Sequence, residues 1–144
     1  MSPAAELVSL WKAEGVRLNA GAAPAELYGF GKLLGVELAG DLLALYALAD
    51  GMVDLEYDAR QASVWSIAKI QTHASKFPLS PPAFADFLIE SWHFRLGQGS
   101  TGLVVLSDNV RSGAPPKQIG SFSEFLRMYI ANPRGLDLFD PSQQ

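Results

Sequence analysis

Hydrophobic positions recur every three or four residues over the first third of the chain, and every second residue over much of the remainder. In Ala4 to Lys12, Leu7, Leu10 and Trp11 have helical spacing, and Gly15 ends the segment. Leu18 to Ala23 reads as a loop of small residues. Pro24 then opens a second helix, where its missing N–H would be unpaired in any case, and Glu26 lies near the positive end of the helix dipole. Leu27, Phe30 and Leu34 form its face and Gly35 its stop. Gly29 and Gly31 either weaken this helix or permit a close backbone approach. Asp41 is a suitable N-cap for a third helix carrying Leu42, Leu45, Tyr46 and Ala49, with Asp50-Gly51 closing it.

From there the period changes to two. Val53, Leu55 and Tyr57 alternate with Asp54, Glu56 and Asp58, the pattern of a half-buried strand. Val64 to Ile67 is a second strand candidate, and Ala68 to Ser75 a helical stretch. Ser80-Pro81-Pro82 introduces a short helix with Phe84, Phe87 and Leu88 on one face. Trp92, Phe94 and Leu96 alternate with His93 and Arg95; Gly97 to Gly102 turns; Leu103 to Leu106 returns as a strand, completing a hairpin. Asp108 to Pro116 is a polar loop. Ser121 and Glu124 have capping-box spacing, and Phe122, Phe125, Leu126, Tyr129 and Ile130 follow at helical positions until Pro133. Asp140 to Gln144 reads as a frayed tail. Helices first, then hairpin-joined strands, then a closing helix predict an α+β fold. Its antiparallel sheet packs against the N-terminal helices and the closing C-terminal one.

Composition narrows the function. A length of 144 residues suits one domain spanning 1–144. With 49% hydrophobic and 18% charged residues, the chain is too apolar for intrinsic disorder. It has no cysteine, which excludes disulfides, thiolate metal sites and a cysteine nucleophile. Eleven basic against fifteen acidic side chains give a net charge of −4, which argues against nucleic-acid binding. The N-terminus lacks the basic start of a secretory signal, and no run approaches the ~18 apolar residues of a membrane span. A cytoplasmic location is the expectation.

The candidate chemistry is sparse. Gly97-Gln98-Gly99-Ser100-Thr101-Gly102 spells Gly-x-Gly-x-x-Gly, but the residues after it are too few and too β-branched for the helix a pyrophosphate needs. They read as a hairpin turn; a nucleotide-using enzyme built on this loop is the outlying alternative. His73 and His93 are the two histidines, too far apart in sequence for a local metal motif, and His93 is expected on the polar face of its strand. No catalytic set, cofactor or metal is expected. The directional feature is acidic: Asp50, Asp54, Glu56 and Asp58 occur within nine residues, with no Lys or Arg among them until Arg60. Alternation would put Asp54, Glu56 and Asp58 on one strand face. That face is either solvated or a docking surface for a basic partner.

The order of short blocks resembles the SUKH superfamily. Leu34-Gly35-Val36-Glu37-Leu38, the Asp41–Tyr46 helix and Asp50-Gly51 resemble its opening signature. Val64–Ile70, Phe84–Ile89 with Trp92–Leu96, and Ile119–Leu126 are similar to its later blocks, so the likeness spans residues 24 to 136. The chain departs from the pattern where Ala39-Gly40 replaces a proline, and where Gly31 or Lys32 replaces an acidic residue. The resemblance implies a non-enzymatic α+β domain that binds other proteins; bacterial members are commonly immunity proteins that neutralise polymorphic toxins. It carries over no binding site. The expectation is therefore an immunity protein occluding a basic toxin domain through Asp54, Glu56 and Asp58, with Trp65 and His93 nearby. The alternative is a cytosolic regulatory or scaffolding domain.

Overall fold

The structure is a computed structural model and describes residues 1–131. The expected stop at Pro133, the end of the family likeness at 136 and the tail at 140–144 lie outside the described residues. Helix α1 (Pro3–Ala13) starts at Ser2, whose hydroxyl accepts the Ala5 N–H at 3.2 Å, and it buries Ala4, Leu7, Val8 and Trp11. The following stretch is a short strand rather than a loop: β1 (Leu18–Ala20) pairs antiparallel with β2 (Ala49–Met52). Between them lie α2 (Pro24–Leu34) and α3 (Gly40–Leu48). The Glu26 carboxylate accepts the Ala23 N–H at 3.0 Å, and Gly35 ends α2 in the left-handed conformation, φ 74°. Gly31 is there for proximity, since a Cβ would stand 2.7 Å from the Val36 carbonyl oxygen.

Two expectations about α3 are corrected. Asp41 is not its cap but lies in the first turn, where its carboxylate accepts the Ser123 hydroxyl at 2.6 Å. Nor do Asp50 and Gly51 close the helix; both belong to β2, and Gly51 has φ 68°. A Cβ on Gly51 would lie 2.4 Å from the Trp65 carbonyl, so glycine lets β2 press against the end of the larger sheet.

That sheet has five antiparallel strands in sequence order: β3 (Ala62–Val64), β4 (Ala83–Phe87), β5 (Trp92–Gly99), β6 (Gly102–Asn109) and β7 (Lys117–Ser121). Helix α4 (Ile67–Lys76) follows β3, and α5 (Phe122–Ala131) follows β7. The β5–β6 hairpin is the expected one, with Gly99 opposite Gly102, so the glycine motif is a strand end and its turn. The Ser121–Glu124 box closes reciprocally at 3.1 and 3.0 Å. The helix expected from Ser80 is instead β4. All five of its residues are buried, and its backbone pairs with β3 on one side and β5 on the other. No helix among the described residues is long and apolar enough to cross a membrane.

Cross-strand register divides the sheet into two unlike faces. On one, Val64, Ala85 and Phe94 line up, and Phe84, Phe94 and Phe125 of α5 meet with ring centroids 5.0 to 6.5 Å apart. This is the apolar core, with α1 and α3 packed beside α5. On the other face Ser63 stands opposite Asp86, Asp86 opposite His93, and His93 opposite Asp108. Arg95 shares that face. A polar row at the centre of a sheet calls for a chemical explanation.

Candidate functional site

Asp86 anchors the polar face. It is 1% exposed on an inner strand, where an unbonded carboxylate would be costly. One oxygen accepts the Trp65 indole N–H at 2.7 Å; the other accepts the Tyr57 hydroxyl at 2.7 Å and the Glu90 backbone N–H at 3.1 Å. Burial, and then the bond to Asp86, push the Tyr57 hydroxyl well above its usual range. Asp86 thus ties together the loop after β2, the end of β3 and the β4–β5 turn.

That turn is strained. Leu88, Ile89 and Glu90 have φ of 51°, 50° and 62°, three successive non-glycine residues in the left-handed region. Each such residue costs about 1–2 kcal/mol, and the β-branched Ile89 is the least suited of the three. The surroundings hold it there. Leu88 N–H donates to the Gln61 carbonyl at 2.9 Å, Glu90 N–H to Asp86, and Ser91 N–H to the Leu88 carbonyl at 3.2 Å. Val110 N–H donates to the Ser91 carbonyl at 3.2 Å, which brings the β6–β7 loop alongside. The result is a braced apolar projection, with Ile89 77% and Val110 48% exposed.

Behind the turn the two histidines meet. The His73 and His93 rings are 5.2 Å apart and perpendicular, and both sit edge-on to Trp65 at 5.1 and 5.5 Å. His93 is buried rather than exposed. Among the described residues neither of its ring nitrogens has a hydrogen-bond partner, and the Glu90 carboxylate lies 3.7 Å from Nε2. Burial lowers the pKa of both rings; His93 and then Arg95 lower His73 further, and Arg95 lowers His93. Outside this cluster, α4 walls a groove of about 520 Å³ lined by Asn19, Met52, Asp54, Lys69, Thr72 and His73.

The acidic strand face is overturned. Strand β2 ends at Met52, and residues 53–61 turn: Glu56 N–H returns to the Val53 carbonyl at 3.0 Å, and Leu55 has φ 70°. The three carboxylates go three ways. Asp54 meets Lys69 at 2.8 Å on the surface, and Glu56 meets Arg17 at 3.0 Å through side chain and backbone. Asp58 is buried. It accepts the Trp11 indole N–H at 2.9 Å, the Tyr129 hydroxyl, Arg60 at 3.2 Å, and the backbone N–H groups of Arg60 and Ala62. Trp65, 1% exposed, sits under α4 and has no surface to offer a partner. Of the five expected residues, Trp65 and His93 come together, Asp54 borders them through Lys69, and Glu56 and Asp58 serve other contacts.

Asp86, Tyr57 as a hydrogen-bond donor and the Leu88–Glu90 turn escaped the sequence reading, and His73 entered it only as a histidine too far from His93 in sequence for a local metal motif. A signal existed in Phe84-Ala85-Asp86-Phe87: an acid inside a short apolar run between Pro-Pro and a further apolar pair. Such runs fit a helix or a buried strand equally well. The helical choice sent Asp86 to solvent, whereas the strand sends it inward. Set against models of protein families and against curated protein sequences, the chain matches none.

Proposed function

We propose that this chain is a protein-binding module of the SUKH kind, an immunity protein that occludes a basic toxin domain, and that the Leu88–Glu90 turn is its docking point. The observation carrying the reading is where the polar and apolar groups go. Asp58 and Asp86 turn inward and are consumed by the fold, while Leu88 and Ile89 are held outward in a conformation that costs energy. Strain of this kind persists where surroundings over-determine it, and it clusters at binding and switch sites. A pre-formed apolar knob loses little conformational entropy on docking. Glu90, whose side chain is 62% exposed beside it, suits a cation at the rim of the partner's pocket.

The test is relief of growth arrest by a co-purifying partner. The wild-type chain should retain a near-stoichiometric partner whose expression arrests growth, and should relieve that arrest. Ile89→Asp should fold yet fail at both. Relief by Ile89→Asp equal to wild type would move docking off this turn. A housekeeping partner held through Ile89 would keep the turn and replace immunity by the regulatory reading.

A further inference from the structure

Helix α4 is fastened unevenly. Its buried residues, Ile67 and Ile70, both belong to the N-terminal half, where Ser66 accepts the Lys69 N–H at 3.2 Å and Asp50 the Ile67 N–H at 2.8 Å. The C-terminal half, Gln71 to Lys76, reaches the sheet through His73, whose ring lies against His93 and Trp65 and is backed by Phe77 at 4.8 Å. The hold of this half on the sheet is thus an imidazole–imidazole–indole contact between neutral rings, with Gln71 lying beside Gly29 of α2.

The charges around the pair do not welcome a proton. On α4, Lys69 stands 4.9 Å over the Trp65 ring, and Lys76 lies one turn beyond His73. On β5, Arg95 shares the face of His93 and reaches the Pro81 carbonyl at 2.8 Å. The nearby anions are largely occupied. Asp86 on β4 accepts three donors, the Tyr57 hydroxyl among them, and Asp108 on β6 accepts Arg95 at 3.0 Å. Glu90 in the turn is the anion placed to answer, at 3.7 Å from His93 Nε2 and mostly in water.

We propose that the His73–His93 contact is an acid-operated latch: protonation of the pair frees the C-terminal half of α4 from the sheet and uncovers Trp65. A proton on either ring puts a cation against the other ring and toward Arg95, with both His93 nitrogens shut off from solvent. Once released, the histidines take up protons near their ordinary value of about 6.5. Burial holds both pKa values below that in the packed state. The packed state is therefore fully favoured above about pH 6.5 and loses ground as pH falls through it and on toward the lowered folded values. The two rings titrate as a coupled pair. The inference stands independently of the immunity reading, because it concerns the fold with no partner bound.

Amide hydrogen exchange on the full chain tests it, at about pH 7.5 and about pH 5, with rates normalised for intrinsic exchange. Between the two, Gln71–Lys76 amides should lose protection several-fold relative to β5 and β6, because both rings resist protonation while packed. Tryptophan fluorescence should follow the same transition. His93→Gln, neutral at both pH values, should abolish most of that difference, and His73→Gln provides a second variant should the first unfold. Equal protection at both pH values, or loss spread evenly over α4 and the hairpin, would overturn the latch. So would histidine ring resonances titrating at or above the ordinary value in the wild-type protein.

Discussion

Asp58 and Asp86 are both buried carboxylates, and each accepts an indole N–H and a tyrosyl hydroxyl: Trp11 and Tyr129 for one, Trp65 and Tyr57 for the other. Their company differs. Asp58 has the permanent cation of Arg60, itself held by Glu14 at 3.0 Å, and it joins α1, α5 and the loop before β3. Asp86 has no arginine or lysine within ion-pairing distance among the described residues; its cross-strand neighbour is the neutral His93. The same donors thus build a fixed staple at one site and a proton-sensitive neighbourhood at the other. Strain and exposure follow the second: the left-handed turn, the apolar knob and the histidine pair all adjoin Asp86.

The largest test of this contrast is the same substitution at both sites. Asp58→Asn removes the anion facing Arg60 and should cost about 3–5 kcal/mol in urea unfolding, as breaking a buried ion pair does. Asp86→Asn breaks no ion pair but replaces one of the two accepting oxygens by an NH2, leaving at least one of the three donors without its acceptor, and should cost about 1–3 kcal/mol. Equal losses would show that the counter-cation is not what separates the two sites. The burial of Asp58 also changes how docking must be tested, because reversing Asp54, Glu56 and Asp58 together would unfold the chain instead of probing a surface.

Two smaller effects sharpen the comparison on the Asp86 side. His93→Gln should flatten the loss of stability between about pH 7.5 and about pH 5 in thermal melts, because burial lowers the His93 pKa in the fold, while Asp58→Asn leaves that slope in place. Ile89→Gly should raise stability by about 1 kcal/mol, because glycine occupies the left-handed region without penalty, and yet weaken partner retention. A gain in stability with unchanged binding would leave the strain without a functional account. Smallest of all, Asp54→Ala should change stability by less than about 1 kcal/mol, since its pair with Lys69 is solvent-exposed.

Legibility in the sequence tracked how local the determining interactions are. The β5–β6 hairpin and α5 could be read because alternation, a glycine turn and a capping box lie within a few residues of one another. Strand β4 was misread because Phe84, Phe87 and Leu88 match helical spacing, and a strand buried on both faces shows no alternation. β1 and β7 are short and give little period to detect. Residues 53–58 alternate cleanly yet form turns, because Arg17, Lys69 and the Trp11–Tyr129 pair draw their carboxylates in separate directions.

By itself the sequence determined the α+β class, the antiparallel hairpin, the capped closing helix and a turn where a nucleotide motif is spelled. Spacing, caps and composition fix these over a few residues at a time. Tertiary structure alone decided which acids face water. Burial of a carboxylate depends on donors 21 to 71 residues away in the chain, from Trp65 for Asp86 to Tyr129 for Asp58. It also joined His73 to His93 across a helix and a strand, and it bent Leu88–Glu90 into a conformation that no local preference would choose.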